Sequence, residues 1–519
     1  MSAARPAGHR PNFLFVFCDQ LRPDALQSLG AHPPLRTPVQ DELAAQGVRF
    51  AHCYTPNPVC VPAREAVITG RWGHRYGCLD NGAPRPGAAV PTFPRLLHEA
   101  GYVTFAAGKQ HFRPVRDHRG YGRLLLSEGQ PAYRQDDDYL LYLRDRGYGH
   151  VAAPGGPRGT AYYLPRESPL PAALHITPWT AERCAELIRA NRNRPFLATA
   201  AFFKPHPPFD PPRRYWDRYP PDGVRLPLPG AGDEPDDYLR VQNHSKTMLA
   251  PDEARVRAVR AAYYALVEQL DDAIGLLMQT LRDCGVLDNT VVFVSADHGE
   301  LLGEHGAWGK RSFYEGSGAV PLLMHWPDGL PRGAVRRTPV STLDLFPTIA
   351  ALAGLALPGP VDGQSLLAAA RDGVAPGRPG VAAEFGSDRT LKLMWRWQES
   401  ADGADGGDSH RQWKYVWLAN GGREQLFELT SDPHEVRNRA AEERGRCDWA
   451  RGQLASWCAD TDFPQALAES PADGREHRLR SYPFETLPLG NVRGQRPAWP
   501  GRDPDFVGEP ADTAAAESL

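Results

Sequence analysis

Cys60 opens the stretch CVPAR, residues 60 to 64, and a helical pattern follows it at once. A cysteine so placed is a buried packing residue, a thiolate nucleophile or the precursor of another group. Arg64 and the positive end of the helix favour negative charge there and lower a thiol's pKa. Two distant stretches supply carboxylates in matched settings. NFLFVFCDQ is apolar up to Asp19 and Gln20, and TVVFVSADHGE is apolar up to Asp297 and His298. A strand that is apolar to its last residue and then presents an acid predicts a site at a sheet edge. Two such acids repel each other unless a cation lies between them. With the amide oxygen of Gln20 they form a hard oxygen donor set, which favours Ca2+ or Mg2+. The His298 nitrogen leaves Mn2+ open as well. A hard cation is a poor partner for a soft thiolate, and no oriented His–Asn or His–Asp pair declares itself. Both points weigh against a cysteine hydrolase.

Cationic groups follow other strand-like runs. YVTFAAG leads to Lys109 and His111, and FLATAAFF to Lys204 and His206 among three prolines. Lys310 lies with His305 and Trp308 in a glycine-rich stretch after Asp297. Arg64, Lys109, Lys310, His111 and His206 together suit a tetrahedral anion.

The elements that must position these residues alternate in type. The runs 12–19, 102–109, 196–203, 290–297 and 321–326 are short and almost continuously apolar, the pattern of parallel strands covered on both faces. Helical patterns span 37–47, 93–101, 181–192 and 252–285, the first with Thr37 as N-cap, Pro38 at the first position and Gly47 at the stop. This alternation predicts an α/β three-layer domain with a central, mostly parallel sheet, and a ligand site beyond the strands' carboxyl ends. Residues 356–380 are rich in Pro and Gly. Beyond them 384–397, 410–420 and 424–430 read as a small antiparallel sheet, with an acidic Gly-rich loop over 399–409 and a closing helical segment over 432–460. The expected organisation is a catalytic domain over 10–375, a small C-terminal subdomain over 380–480 and an extended Pro/Gly-rich tail over 481–519.

A chain of 519 residues exceeds what one core usually carries. Its net charge of -3 gives no reason to expect nucleic acid or an anionic membrane as partner. No run of 18 apolar residues spans a membrane. MSAARPAGHRPN contains no apolar signal core, which leads to an expected cytoplasmic location. The eight cysteines are too scattered for a disulfide framework and form no C-x-x-C pair, against a zinc ribbon or a dithiol redox site.

Taken together, FCDQLRPDAL, PVCVPAREAVITGR, GKQHF, KPHPPFDPP, SADHGELLGEHGAWGKRSFYEGS and KYVWLANGGREQLFELTSDPHE resemble the type I, formylglycine-dependent sulfatases of the alkaline-phosphatase-like superfamily. The resemblance spans about residues 10 to 430. The Asp19–Gln20 pair, SADHG and CVPAR are most similar to the choline-sulfatase-like and iduronate-sulfatase-like branches. The resemblance implies that a formylglycine-generating maturation enzyme oxidises Cys60 to Cα-formylglycine. One oxygen of the hydrated aldehyde then attacks sulfur and displaces the alcohol, and the second hydroxyl collapses to the aldehyde and expels sulfate. It further implies that Asp19, Gln20, Asp297 and His298 bind a divalent metal with modified Cys60. Arg64, Lys109 and Lys310 neutralise the sulfonyl oxygens, His111 deprotonates the spare hydroxyl, and His206 with Lys310 serves the leaving group. Gln20 stands where many sulfatases have a second Asp, His298 where many have Asn, and Ala63 where Ser is commoner.

Two rival functions follow from the same residues. A phosphonate monoester or phosphodiester hydrolase of the superfamily shares the site, but the Lys109 and His111 pair favours a sulfate monoester. A non-catalytic protein that binds sulfated ligands would keep Cys60 as a thiol. The substrate is a small sulfate ester of choline, an aryl alcohol or a sugar, and the sequence does not choose among them. Trp72, Asn81, Phe209, Trp308 and Tyr314 are candidates either for lining the pocket or for packing. A homo-oligomer is left open.

Overall fold

β1 (Asn12–Asp19) is buried along its whole length and lies inside the larger of two sheets. The computed structural model describes residues 10–26, 35–83, 86–87, 89–129, 131, 133–151, 154, 161–230, 237–400, 410–469 and 477–489. The 401–409 part of the acidic loop and the tail from 490 onward lie outside the described residues.

The other strands of the large sheet are β2 (Val48–Tyr54), β3 (Val103–Gly108), β4 (Arg123–Leu126), β5 (Phe196–Pro205), β6 (Thr290–Ala296), β7 (Ala319–His325), β8 (Ala334–Arg336) and β9 (Val340–Ser341). Their order is β4-β3-β5-β1-β6-β7-β2-β8, with β9 also paired to β2. From β4 to β6 every pairing is parallel. All five strands expected from continuous apolarity are present. β2 is not continuously apolar, and only some of its residues are fully buried. β4, β8 and β9 are too short to show a pattern.

The apolar run at 321–326 predicts a parallel strand, and here the structure differs. β7 is antiparallel to both neighbours, β6 and β2. Burial on both faces produces the same apolar run whichever way a strand points. The reversal has a consequence for the site. The chain that leaves β6 at its carboxyl end re-enters the sheet through β7 from the same edge. Residues 297–318 therefore stay above that edge. β2 reaches this edge as well, with Tyr54 paired to Ala319.

Helices cover both faces. α1 (Pro38–Gln46) follows Thr37 with Pro38 in its first turn and stops at Gly47. α2 (Cys60–Thr69) begins soon after β2, and α3 (Phe93–Glu99) is capped by Thr92, whose hydroxyl accepts from the Arg95 N–H. α2, α3 and the helix Leu345–Ala353 pack on one another, and Phe93 of α3 meets Phe15 of β1 edge-on at 5.8 Å. The helices Ile176–Asn191 and Glu253–Asp283 pack together and against β5. The first begins earlier than its pattern at 181–192 predicts, because His175 caps it and Pro178 is tolerated in a first turn. The second is capped by Asp252, which accepts from the Arg255 N–H at 2.7 Å. The result is a three-layer α/β architecture.

The smaller sheet is antiparallel and ordered β10 (Val381–Phe385), β11 (Lys392–Ser400), β12 (His410–Leu418), β13 (Arg423–Glu428). The stretch 384–397 reads as one strand but divides between β10 and β11. Gly386, at φ 74°, turns the chain where a Cβ would meet the Thr390 carbonyl oxygen at 2.5 Å. The helix Arg444–Asp460 packs on β11 and β12. This sheet grips the segment beyond Lys310: Lys392 Nζ donates to the Arg311 carbonyl at 2.8 Å and Lys414 Nζ to the Phe313 carbonyl at 2.6 Å. All eight cysteines are free. Among the described residues no helix is long and apolar enough to cross a membrane.

Candidate active site

β1 and β6 are adjacent and parallel, with Cys18 paired to Ala296, so the acids that follow them emerge side by side. The Asp297 N–H donates to the Cys18 carbonyl at 3.1 Å and extends the pairing by one residue. Asp19 ends β1 at a register shift against β5. α2 brings Cys60 to the same point from its first turn. One ligand atom each from Asp19, Cys60, Asp297 and His298 lies within 4.8 Å of the others, and all four residues are buried.

Hydrogen bonds aim these atoms. Asp297 Oδ1 accepts from the Gln20 N–H at 3.1 Å and the His298 N–H at 2.9 Å. His298 Nδ1 lies 2.9 Å from the Gly299 carbonyl, which can only accept, so Nδ1 carries the proton. Its Nε2 is left to face Cys60 Sγ at 3.3 Å, Asp297 Oδ1 at 3.5 Å and Asp19 Oδ1 at 3.7 Å. That tautomer is the one a metal needs. Two buried carboxylates, an imidazole nitrogen and the nearby Gln20 amide oxygen fit a hard divalent cation. The donor chemistry suits such an ion.

Cations ring the cluster. Lys109 Nζ donates to Asp19 Oδ2 and lies 3.9 Å from Cys60 Sγ. Lys310 Nζ lies 2.8 Å from Cys60 Sγ and 3.2 Å from Gln20 Oε1. Arg64 donates from Nε to Asp297 Oδ2 at 2.9 Å and from Nη1 to the Lys109 carbonyl at 2.7 Å. Its Nη2, 3.5 Å from Asp19 Oδ2, is buried without a hydrogen-bond partner among the described residues. Burial pushes the Asp19 pKa up, but Lys109, His206, Lys310 and Arg64 hold it well below the usual carboxylate range. Burial and Asp19 likewise push the Cys60 thiol up, and Lys109, Lys310 and His298 outweigh them to bring it to about 7. Burial opposes the charge of Lys310, but Cys60 and Asp19 raise its pKa. The site stabilises negative charge at residue 60.

The two histidines stand further out. His206 is buried; its Nδ1 lies 2.5 Å from the Pro207 carbonyl and its Nε2 3.3 Å from the Tyr162 hydroxyl. His111 has a positive φ of 59°, and its side chain is 27% exposed with Nε2 3.9 Å from Glu128 Oε2. Lys204 is turned away from the cluster. It is fully buried, donates to Asp210 and to the Pro208 carbonyl at 2.6 Å, and braces the proline loop that carries His206.

Of the lining candidates, four pack. Trp72 meets Trp457 edge-on at 5.0 Å, Phe209 and Trp308 meet Tyr163 at 5.3 and 6.1 Å, and Tyr314 stacks on His305 at 3.8 Å. Asn81 Oδ1 accepts from the Val61 N–H at 3.1 Å and so satisfies a free donor at the start of α2. Sequence reasoning missed Glu300, Glu128 and Tyr162. Glu300, at the end of the ADHGE stretch, was the one with a local signal: an acid two residues beyond His298.

By fold the chain is similar to solved hydrolases of the same three-layer α/β architecture. It resembles the phosphonate monoester hydrolase of Agrobacterium radiobacter with a TM-score of 0.71 and 23% identity, covering 91% of this chain and 100% of that one. It also resembles a protein solved in complex with its substrate D-glucosamine-2-N,6-O-disulfate, with a TM-score of 0.67 and 20% identity over 87% of this chain and 98% of that one. Those likenesses concern the fold alone. In sequence, residues 11–355 match the sulfatase family. The choline-sulfatase of Rhizobium meliloti (strain 1021) is 31% identical over 495 residues, 89% of this chain and 90% of that protein. The arylsulfatase of Clostridium perfringens (strain 13 / Type A) is 26% identical over 499 residues, 92% of this chain and 99% of that protein. The chain belongs to the sulfatase family and is a sulfuric ester hydrolase.

Proposed function

We propose that the protein hydrolyses a small sulfate monoester to an alcohol and inorganic sulfate, using Cα-formylglycine made from Cys60 beside a divalent cation. Ca2+ is the first choice of ion, with Mn2+ and Mg2+ as the alternatives. The carrying observation is the buried meeting of Cys60 with Asp19, Asp297 and His298 under a ring of three cationic side chains. When present, the ion supplies Lewis-acid polarisation and the hydrated aldehyde supplies a nucleophilic oxygen with a second hydroxyl for release.

The chain's own residues do the rest. Asp19, Gln20, Asp297 and His298 hold the ion together with residue 60. Arg64, Lys109 and Lys310 neutralise the sulfuryl oxygens, and Arg64 Nη2 has a free donor for one of them. His111 Nε2, beside the Glu128 carboxylate, takes the proton of the spare hydroxyl. His206 Nε2 and Lys310 Nζ donate to the leaving oxygen. Conversion of a thiol to an aldehyde is an oxidation for which these residues hold no oxidant, so a formylglycine-generating maturation enzyme is the required partner.

The names of the relatives, choline-sulfatase and arylsulfatase, support choline and aryl sulfates as first candidates, with sugar sulfates next. Residues 10–375 would form the catalytic domain and 380–480 a subdomain that steadies the Lys310 segment. The eight free cysteines are compatible with a reducing, cytoplasmic location. The likeness in fold to a phosphonate monoester hydrolase supports a second reading, phosphonate monoester or phosphodiester hydrolysis at the same site.

Two measurements test these readings. Peptide mass spectrometry of the fragment containing residue 60 distinguishes aldehyde from thiol. A retained thiol in protein co-expressed with the maturation enzyme would leave only a binding protein for sulfated ligands. Matured enzyme is then assayed with metal on choline, aryl and sugar sulfates and on a phosphonate monoester. Faster turnover of the phosphonate than of every sulfate would replace the first reading by the second.

A further inference from the structure

Gln20 is buried and has a positive φ of 71°, and its four polar groups are all engaged. Its N–H donates to Asp297 Oδ1 at 3.1 Å, and its carbonyl accepts from the Tyr263 hydroxyl at 2.9 Å. The backbone is thus clamped between the strand-end acid and the long helix. The side chain lies between groups of opposite kind. Nε2 donates to Glu300 Oε2, and Oε1 lies 3.2 Å from Lys310 Nζ.

The two ends of a carboxamide have nearly the same shape but opposite hydrogen-bonding character. A glutamine beside a cation therefore needs a neighbour that decides which end faces the ion. Reversing Gln20 would set its oxygen against the Glu300 carboxylate and its NH2 against an ammonium group. Glu300 itself has little freedom. It is fully buried, and besides Gln20 it accepts from the Tyr163 hydroxyl at 2.7 Å, the Leu302 N–H at 3.1 Å and the Gly309 N–H at 2.5 Å.

We propose that Glu300 is a positioning residue for the metal: by holding the Gln20 NH2 it turns Gln20 Oε1 towards the ion. This inference rests on the metal reading above. It makes Gln20 and Glu300 one functional unit, joined across 280 positions of the chain.

The test is calorimetric titration of Ca2+, and separately Mn2+, into the chelator-treated full-length chain. The proteins are native, Glu300→Gln, Gln20→Ala and the double variant. A side-chain amide at 300 can satisfy Gln20 in either orientation, so Glu300→Gln is expected to raise the metal Kd about 10-fold or more. In the Gln20→Ala background the same change is expected to leave the Kd nearly unaltered. An unchanged Kd in Glu300→Gln, or an equal loss in both backgrounds, overturns the inference while the metal reading stands. A native protein that binds neither ion overturns the metal reading and this inference with it. Thermal melting in chelator establishes that each variant folds. If Glu300→Gln does not, Tyr163→Phe removes one donor from the same carboxylate oxygen and is expected to weaken binding about threefold. No weakening in that variant overturns the inference equally.

Discussion

Lys310 Nζ lies 2.8 Å from Cys60 Sγ, although 250 positions of the chain separate them. Two features of the sheet make the contact. β2 delivers the start of α2 to the carboxyl edge, and the reversed β7 keeps the segment that carries Lys310 above that edge. β11 and β12 then hold the segment through Lys392 and Lys414. Removing the ammonium group should therefore impair the chemical step more than substrate binding. Lys310→Ala is expected to lower kcat about 100-fold with a smaller change in KM, as found for loss of one preorganised donor to developing charge. Steady-state rates of matured enzyme on an aryl sulfate measure this.

Cys60 is 1% exposed and lies beneath Lys310 and beside His298. A modifying enzyme cannot reach that sulfur in the folded protein. Conversion is expected in a synthetic peptide spanning residues 56–77 and in the nascent chain, but not in purified folded protein given the same maturation enzyme. Mass spectrometry of the Cys60 fragment after timed incubation reads the outcome, and efficient conversion of the folded protein would contradict it.

The side-by-side carboxylates of Asp19 and Asp297 lead to a stability prediction. A cation held only by the folded state stabilises it by mass action, by about 2.7 kcal/mol at a free metal concentration of 100 Kd. Chelator is expected to lower the melting temperature and Ca2+ or Mn2+ to restore it in a concentration-dependent way. Asp297→Asn should flatten that dependence. A melting curve indifferent to chelator and metal would count against ion binding.

His74 joins the two sheets' surroundings and should make their contact sensitive to pH. Its Nδ1 lies 2.5 Å from Glu384 Oε2 and its Nε2 3.1 Å from the Thr461 carbonyl, so both nitrogens face acceptors. Burial alone would lower the imidazole pKa, but Glu384 and the Thr461 carbonyl raise it above its ordinary value. A histidine whose pKa is raised by folding adds stability that is fully present below its unfolded pKa of about 6.5. That contribution is lost as pH rises through the raised folded value. Melting temperature is expected to carry a component that declines with pH above that point, and His74→Gln should remove the component. Parallel pH series of the two proteins, compared by difference, provide the check.

Much of the site was legible because its signals are local. The acids at 19 and 297 end apolar runs, and Cys60, Arg64 and Lys109 lie one to a few residues from an element boundary. Lys204 shows where locality fails. Like Lys109 it follows an apolar run with a histidine two residues on, but it lies within β5 and its ammonium group turns to Asp210 and the Pro208 carbonyl. For Trp308 and Tyr314 the sequence leaves lining and packing open, since an aromatic near a site has the same local sequence whether it lines a pocket or packs beneath one.

The sequence by itself determined the residue types: which side chains end the strands, that they offer hard oxygen donors, and that the cations near them suit an anion. Side-chain type and apolar runs are properties of a few neighbouring residues. The tertiary structure alone decided that β7 runs backwards, that Lys310 rather than Lys204 meets Cys60, and that Glu300 grips the amide of Gln20. Strand direction leaves no trace in a run buried on both faces, and contacts across hundreds of positions depend on how the layers close.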